Sequence, residues 1–214
     1  MNLRTLLVAA TLLAATGWWY SPASPRVPAY AAAAPGISIH CPQPPLTPRG
    51  GEPLQTRAQG LPPFRLAAAD LQPLAGFSID ARVLSRKDYS LGREAELSPT
   101  DLALGWGRMR EDAVLQQLDI SQSSRWYRYR WDGHPPLTPA EIGLSSANMH
   151  MIPADATVAK TLRGVRKGET VRINGWLVEA RSPDGWRWRS STSREDTGSG
   201  ACEVVYVCTI TRQQ

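Results

Sequence analysis

The sequence predicts an α+β fold in which a small, curled antiparallel sheet carries two to four short helices. The final third alternates apolar and polar residues with the period of a strand, and Gly175 interrupts one of these strands. Short segments that begin with helix-capping residues punctuate the middle of the chain. A charged fraction of 20% together with eight tryptophans is typical of a folded chain and not of a disordered one.

The N-terminus has the pattern of an export signal. Arg4 precedes an apolar run over residues 6–20 that ends in Trp18, Trp19 and Tyr20. At about 1.5 Å per residue the run spans roughly 22 Å, near the lower limit for a membrane anchor. We expect residues 1–20 to anchor the protein in a membrane, with the rest of the chain on the outer side of that membrane. Cleavage as a signal peptide, with release into the periplasm or the medium, is the alternative.

Proline and alanine dominate residues 21–63, where they favour extended chain. We therefore predict a tether over residues 21–63 and a single α+β domain over residues 64–212. The domain opens with a strand, because Phe77, Ile79, Ala81 and Val83 alternate with polar residues.

Four segments carry helix signals. Ser98 followed by Pro99 predicts a helix that runs into residues 102–107, and residues 110–118 have an amphipathic pattern. Thr138 and Glu141 form a capping box, and Asp155 caps a segment that ends near Gly164.

The C-terminal third predicts antiparallel strands. Val171 and Ile173 share one face of a strand, residues 182–185 fit a type I turn, and Trp186 and Trp188 alternate with arginines on the return strand. Gly175 indicates a bulge or bend of the kind that curls a small barrel.

Cys41, Cys202 and Cys208 are the three cysteines. Cys202 and Cys208 lie on one predicted strand about 20 Å apart, whereas a disulfide requires Cα atoms within about 7 Å. Since export places the chain in an oxidising compartment, we expect Cys41 to pair with Cys202 or Cys208. Three unlinked thiols are the alternative.

The segment over residues 145–154 contains a polar row, Ser146, Asn148 and His150, on one side of a predicted strand. Ser146 and His150 would lie about 13 Å apart, too far for a direct hydrogen bond. We therefore expect His150 and Asn148 to be structural and to donate hydrogen bonds to the loop that contains Glu195 and Asp196. The rival hypothesis is a hydrolase in which His150 works with one of those carboxylates and with a serine of another strand, Ser190 or Ser191.

Metal ligands with the usual spacing are absent from the sequence, and we expect neither a metal nor another cofactor. A ligand-binding face is a stronger candidate. On a strand, Trp126, Arg128 and Arg130 share one side, and Arg187 and Arg189 share one side of the later hairpin. If these strands are neighbours, four arginines line one surface beside aromatic rings, which favours an anionic ligand or partner.

The stretch RKGETVRINGWLVEA, residues 166–180, resembles the opening strands of an OB-fold barrel. The stretches FSIDARVLS, ALGWG, SANMH and SSTSREDTGSGACE resemble an uncharacterised family of exported or membrane-anchored bacterial proteins. This resemblance implies a location, the bacterial inner membrane with the C-terminal domain in the periplasm, and a domain extent, but no chemistry.

A net charge of +5 permits an anionic partner without requiring one, and a nucleic-acid partner is not expected. We therefore expect a non-catalytic binding or assembly module of the cell envelope.

Overall fold

The computed structural model describes residues 2–19, 41–196 and 201–213. Its helices are α1 (Leu3–Trp19), α2 (Arg93–Leu97), α3 (Asp112–Leu115), α4 (Pro139–Leu144) and α5 (Ala156–Gly164). Its strands are β1 (Leu54–Arg57), β2 (Phe64–Arg65), β3 (Asp70–Asp88), β4 (Thr100–Gly105), β5 (Asp119–Ser123), β6 (Trp126–Arg130), β7 (Ser146–Pro153), β8 (Thr170–Arg181), β9 (Arg187–Arg189) and β10 (Glu203–Gln213).

The main sheet closes on itself. The strands pair in the order β3, β4, β7, β10, β8, and β8 pairs again with β3, so that five strands form a ring. The predicted α+β fold with a curled sheet and short helices is confirmed. The sheet is mixed rather than purely antiparallel, because β10 runs parallel to β7.

The inside of the ring is apolar because alternate residues of each strand point inward. Phe77, Leu102, Met149, Ile173 and Val205 belong to this interior cluster, and Val158 and Leu162 of α5 join it. A side chain at Gly175 would collide with the carbonyl of Tyr206 on β10. The bulge expected there is found on the facing strand, where the register shifts between Val207 and Thr209.

Residues 41–63, predicted as part of a tether, pack on the sheet, so the folded part begins before the predicted residue 64. Cys41 forms a disulfide with Cys208, which confirms one of the two expected pairings. Carbonyl groups of Pro42, Pro44 and Pro45 accept hydrogen bonds from sheet side chains, and β1 pairs with β3. Proline-rich chain without internal hydrogen bonds can offer its carbonyls in this way. The rest of the predicted tether, residues 21–40, lies outside the described residues.

Two helix predictions are confirmed: Thr138 caps α4 and Asp155 caps α5 through their side-chain oxygens. The helix predicted from Ser98 is wrong. Residues 100–105 form β4, which is buried along its whole length between β3 and β7, so tertiary pairing overrides the local cap signal.

The apolar N-terminal run forms α1, whose described side chains are exposed. Within the described ranges, the structure contains no helix that is both long and apolar enough to cross a membrane. The Cys41–Cys208 disulfide is typical of an oxidising compartment.

Candidate functional site

The polar row Ser146, Asn148 and His150 lies on the outer face of β7, while Met149 and Met151 point into the barrel. The row is nevertheless buried, with at most 6% of any of the three residues exposed. The hairpin formed by β5 and β6, together with Cys202, covers it. The row is therefore neither a solvated strand face nor an open surface.

Asp101 on β4 supplies the negative charge at the centre of this cover. It is the register partner of His150 across the two strands and is fully buried. Its Oδ1 lies 2.9 Å from Nδ1 of His150 and 2.6 Å from Nη1 of Arg125, and its Oδ2 accepts from Asn148 at 3.5 Å. A buried carboxylate requires such partners because its desolvation is costly.

Arg125 reaches Asp101 from the tip of the β5–β6 hairpin. Ser124 and Arg125 both have positive φ, 51° and 67°, as the two-residue turns that suit strand twist require. The backbone of Arg125 bonds to the Tyr89 hydroxyl and to Asn148, and its guanidinium lies 3.9 Å from the centre of the Tyr89 ring. The main chain of Arg125 thereby contacts the polar row through Asn148, and its side chain contacts Asp101.

A pocket of about 190 Å³ opens between the hairpin, β7 and residues 193–196 and 201–202. Its aromatic wall consists of Trp126, Tyr127 and Tyr129. Polar groups line the other sides: Ser146, Asn148, Ser193, Arg194, Asp196 and Cys202. Burial raises the pKa of Tyr127 to about 12, so its hydroxyl stays protonated and donates to Ser146. The pocket therefore combines flat apolar faces with hydrogen-bonding groups, the usual make-up of a ligand site.

Cys202 lies in the lining of this pocket and is the free cysteine. Its sulfur lies 4.0 Å from Nδ2 of Asn148 and 3.9 Å from the carbonyl of Arg125. Burial raises the pKa of the Cys202 thiol above its ordinary value. The protonated thiol is a weak nucleophile at neutral pH.

The carboxylate beside His150 is Asp101 and not Glu195 or Asp196, which corrects the sequence-based prediction. Asp196 accepts a hydrogen bond from Ser191 and lines the pocket, while Glu195 is exposed. Ser190 and Ser191 are the predicted alternative nucleophiles. The Ser190 hydroxyl donates to the carbonyl of Ser191, and the Ser191 hydroxyl donates to the carbonyl of Ser193. The hydrogen bonds of both serines therefore hold the loop in place.

The predicted four-arginine surface is not formed, because β6 and β9 belong to different sheets. Trp126, Arg128 and Arg130 do share the exposed side of β6, as the alternation predicted. Arg128 bonds to Ser123 and Arg130 pairs with Asp119 on β5. Arg187 and Arg189 contact Glu179 of β8 instead.

Sequence reasoning missed Asp101, Arg125 and Tyr89. Asp101 was assigned to the first turn of a helix, and nothing local to Arg125 or Tyr89 distinguishes them from other surface residues. Within the described part of the chain, no group of three histidine, cysteine or acidic side chains could hold a metal ion.

The chain matches no family model, no curated protein and no solved structure. Its function is therefore inferred from the geometry of the site.

Proposed function

We propose that the protein is an exported, non-catalytic binding module of the bacterial cell envelope. The pocket beside the polar row takes one ring-sized group of its ligand or partner. The observation that carries this proposal is the pairing of an aromatic wall with polar groups whose positions are already fixed by internal hydrogen bonds. At about 190 Å³ the pocket is smaller than the roughly 300–1,000 Å³ typical of drug-sized ligands, which favours a single ring or one partner side chain.

The exposed side of β6 extends this site beyond the pocket. Trp126 both lines the pocket and stands on the same side as Arg128 and Arg130. A ring that stacks on Trp126 would bring an attached acidic group toward these arginines. The proposal therefore keeps an anionic ligand or envelope partner and assigns it to Trp126, Arg128 and Arg130.

The position of the site agrees with the OB-like resemblance. OB-fold barrels bind ligands on the face of their second and third strands, flanked by the loops that join strands one to two and four to five. Here the second and third strands of the ring are β4 and β7, and Tyr89 and Asp196 come from the corresponding loops. Because fold does not determine function, this agreement supports the location of the site and not the identity of its ligand.

A panel of monosaccharides and ring-bearing carboxylates would test the pocket, with Cys202 as the reporter. A compound that enters should raise the melting temperature and slow alkylation of Cys202 by N-ethylmaleimide. Gly143→Phe should abolish both effects. Gly143 lines the pocket, and a Cβ at this position meets no atom within 4 Å, so the larger side chain can be accommodated and would occupy space that the compound needs. Trp126→Ala should weaken them, and Leu91→Ala, which shortens an exposed apolar side chain elsewhere, should not. Binding that survives both pocket variants would contradict the proposal.

A hydrolase centred on His150 is the second candidate, and the contact between Asp101 and Nδ1 of His150 favours it. The distance between the two atoms is that of the acid and imidazole in a catalytic triad, although Nδ1 of His150 makes no hydrogen bond here. The experiment that separates the two candidates is incubation of each bound compound with wild type and with His150→Gln. Conversion that depends on His150 would replace the binding module with an enzyme.

Location is proposed from the apolar run over residues 6–20, which attaches the protein to the inner membrane or directs its export before cleavage. A C-terminally tagged protein should sediment with membranes and resist extraction by high salt. A soluble species that lacks the N-terminal residues would instead support cleavage.

A further inference from the structure

Three arginines converge on one carboxylate in the β8–β9 hairpin, away from the pocket lining. Glu179 is fully buried, and its oxygens lie 2.9 Å from Arg181, 2.6 Å from Arg187 and 2.8 Å from Arg189. Strand register places them together, since Glu179 faces Arg189 and Arg181 faces Arg187. We call Glu179, Arg181, Arg187 and Arg189 the arginine cradle.

The cradle carries more positive charge than its own acid neutralises. Three guanidinium groups meet one carboxylate, which leaves a surplus of two positive charges. Neighbouring acids do not remove this surplus, because Asp70, the register partner of Arg181, pairs with Arg65, and Asp184 pairs with Arg93. The surplus therefore faces solvent.

The arginines are also ordered in advance of any binding. Each guanidinium has five N–H donors, and Glu179 takes one or two of them. Between 52% and 61% of each arginine side chain remains exposed, so the other donors are available. Because Glu179 already restricts the rotamers, an incoming oxyanion need not bear that entropic cost.

The face of the β8–β9 hairpin opposite to the cradle packs on the segment that begins at Cys41. Cys41, at the start of the described barrel region, packs in the same apolar cluster as Trp186 and Trp188. Trp186 and Trp188 alternate with Arg187 and Arg189 along the same short segment. Alternate residues of a strand point to opposite faces, so the tryptophans cover this apolar cluster while the arginines point away from it.

We propose that the arginine cradle docks the barrel on the phosphate groups of an anionic lipid surface. This inference rests on the membrane location given under Proposed function, but not on the pocket or its ligand. The cradle supplies a charge-dependent contact with the membrane, and the N-terminal apolar segment supplies a hydrophobic one.

The test uses the full chain and two kinds of vesicle, pure phosphatidylcholine and phosphatidylcholine mixed with phosphatidylglycerol. Wild type should prefer the anionic vesicles. Each basic residue near such a surface contributes about five-fold to partitioning, so Arg187→Gln with Arg189→Gln should lower the preference about thirty-fold. Lys160→Gln with Lys167→Gln removes the same charge from exposed positions near the opposite end of β8 and should leave the preference unchanged.

Equal losses in the two double variants would overturn the proposal, because net charge alone would then explain the binding. A preference abolished by millimolar inorganic phosphate would overturn it too, since the cradle would then bind a free ion. Arg187→Lys with Arg189→Lys keeps the charge and should retain most of the preference, which guards against a glutamine variant that fails to fold. Loss of binding to neutral vesicles alone would contradict the anchor and leave the cradle supported.

Discussion

Asp101 and Glu179 are both fully buried carboxylates of the same barrel, and both bind arginine. Their surroundings differ. All the partners of Glu179 lie within ten residues of it on one hairpin, and more than half of each arginine side chain is exposed. Asp101 draws Arg125, Asn148 and His150 from other parts of the chain, and Arg125 is only 18% exposed. The same interaction, a carboxylate paired with arginine, therefore occurs once with solvent-exposed arginines and once in a buried structural centre.

The turns beside the two acids differ in the same way. The hairpin of the cradle turns at Gly185, whose φ of 89° carries no steric cost for glycine. The hairpin that covers Asp101 turns at Ser124 and Arg125, which adopt positive φ without being glycine. The contacts of Arg125 with Asp101, Tyr89 and Asn148 hold this turn in place.

Removing the charge of each acid should separate the two regions most clearly. Asp101→Asn leaves Arg125 nearly buried without its anion, so we expect a loss of about 3 kcal/mol in the free energy of unfolding. Glu179→Gln leaves arginines that water can reach, and the expected loss is about 1 kcal/mol. Urea unfolding of both variants measures the difference. Equal losses would show that the contrast in exposure has no energetic consequence.

His150→Ala should have the next largest effect. It removes a buried imidazole that lies beside Asp101 and packs on the ring of Trp188, at a cost of about 1–3 kcal/mol. His134→Ala, at an exposed position, is the matched control and should be neutral. If His150 is structural, ligand binding per folded molecule stays unchanged. A stable variant that has lost all function would instead identify the polar row as an active site.

The pH dependence of stability tests the cradle. The hydrogen bond from Arg181, joined by those from Arg187 and Arg189, lowers the pKa of Glu179 from 4.5 to about 2. A lowered pKa contributes stability above the unfolded value, and this contribution disappears as the pH falls from 4.5 toward 2. The stability difference between wild type and Glu179→Gln, about 1 kcal/mol at pH 7, should therefore vanish near pH 2. A difference that stays constant with pH would contradict the ion pairs.

Sequence could predict the cradle hairpin but not the Asp101 centre, for a physical reason. The alternation of Trp186 to Arg189 and the turn at Gly185 are local signals, and the structure reproduces both. The curl at Gly175 and a pairing of Cys41 were predictable in the same way. Asp101, by contrast, follows a strong helix-cap pattern that strand pairing overrides. Its partner Arg125 lies in a turn that contains no glycine or asparagine, the residues that usually indicate such a turn. Neither Asp101 nor Arg125 could therefore be predicted as a member of the ion pair.

The smallest expected effect concerns this turn. Ser124→Asn places a residue that tolerates positive φ at a position where φ is already 51°, and it should raise stability by about 0.5 kcal/mol. Gly185→Ala makes the opposite change in the cradle hairpin, where φ is 89°, and should lower stability by about 1 kcal/mol although no atom obstructs the new side chain. Thermal unfolding of wild type and of the two variants measures whether each substitution raises or lowers stability. If Ser124→Asn is neutral while Gly185→Ala destabilises, the contacts of Arg125 alone determine the conformation of its turn, and the cost of the unusual backbone there is already offset by the ion pair with Asp101.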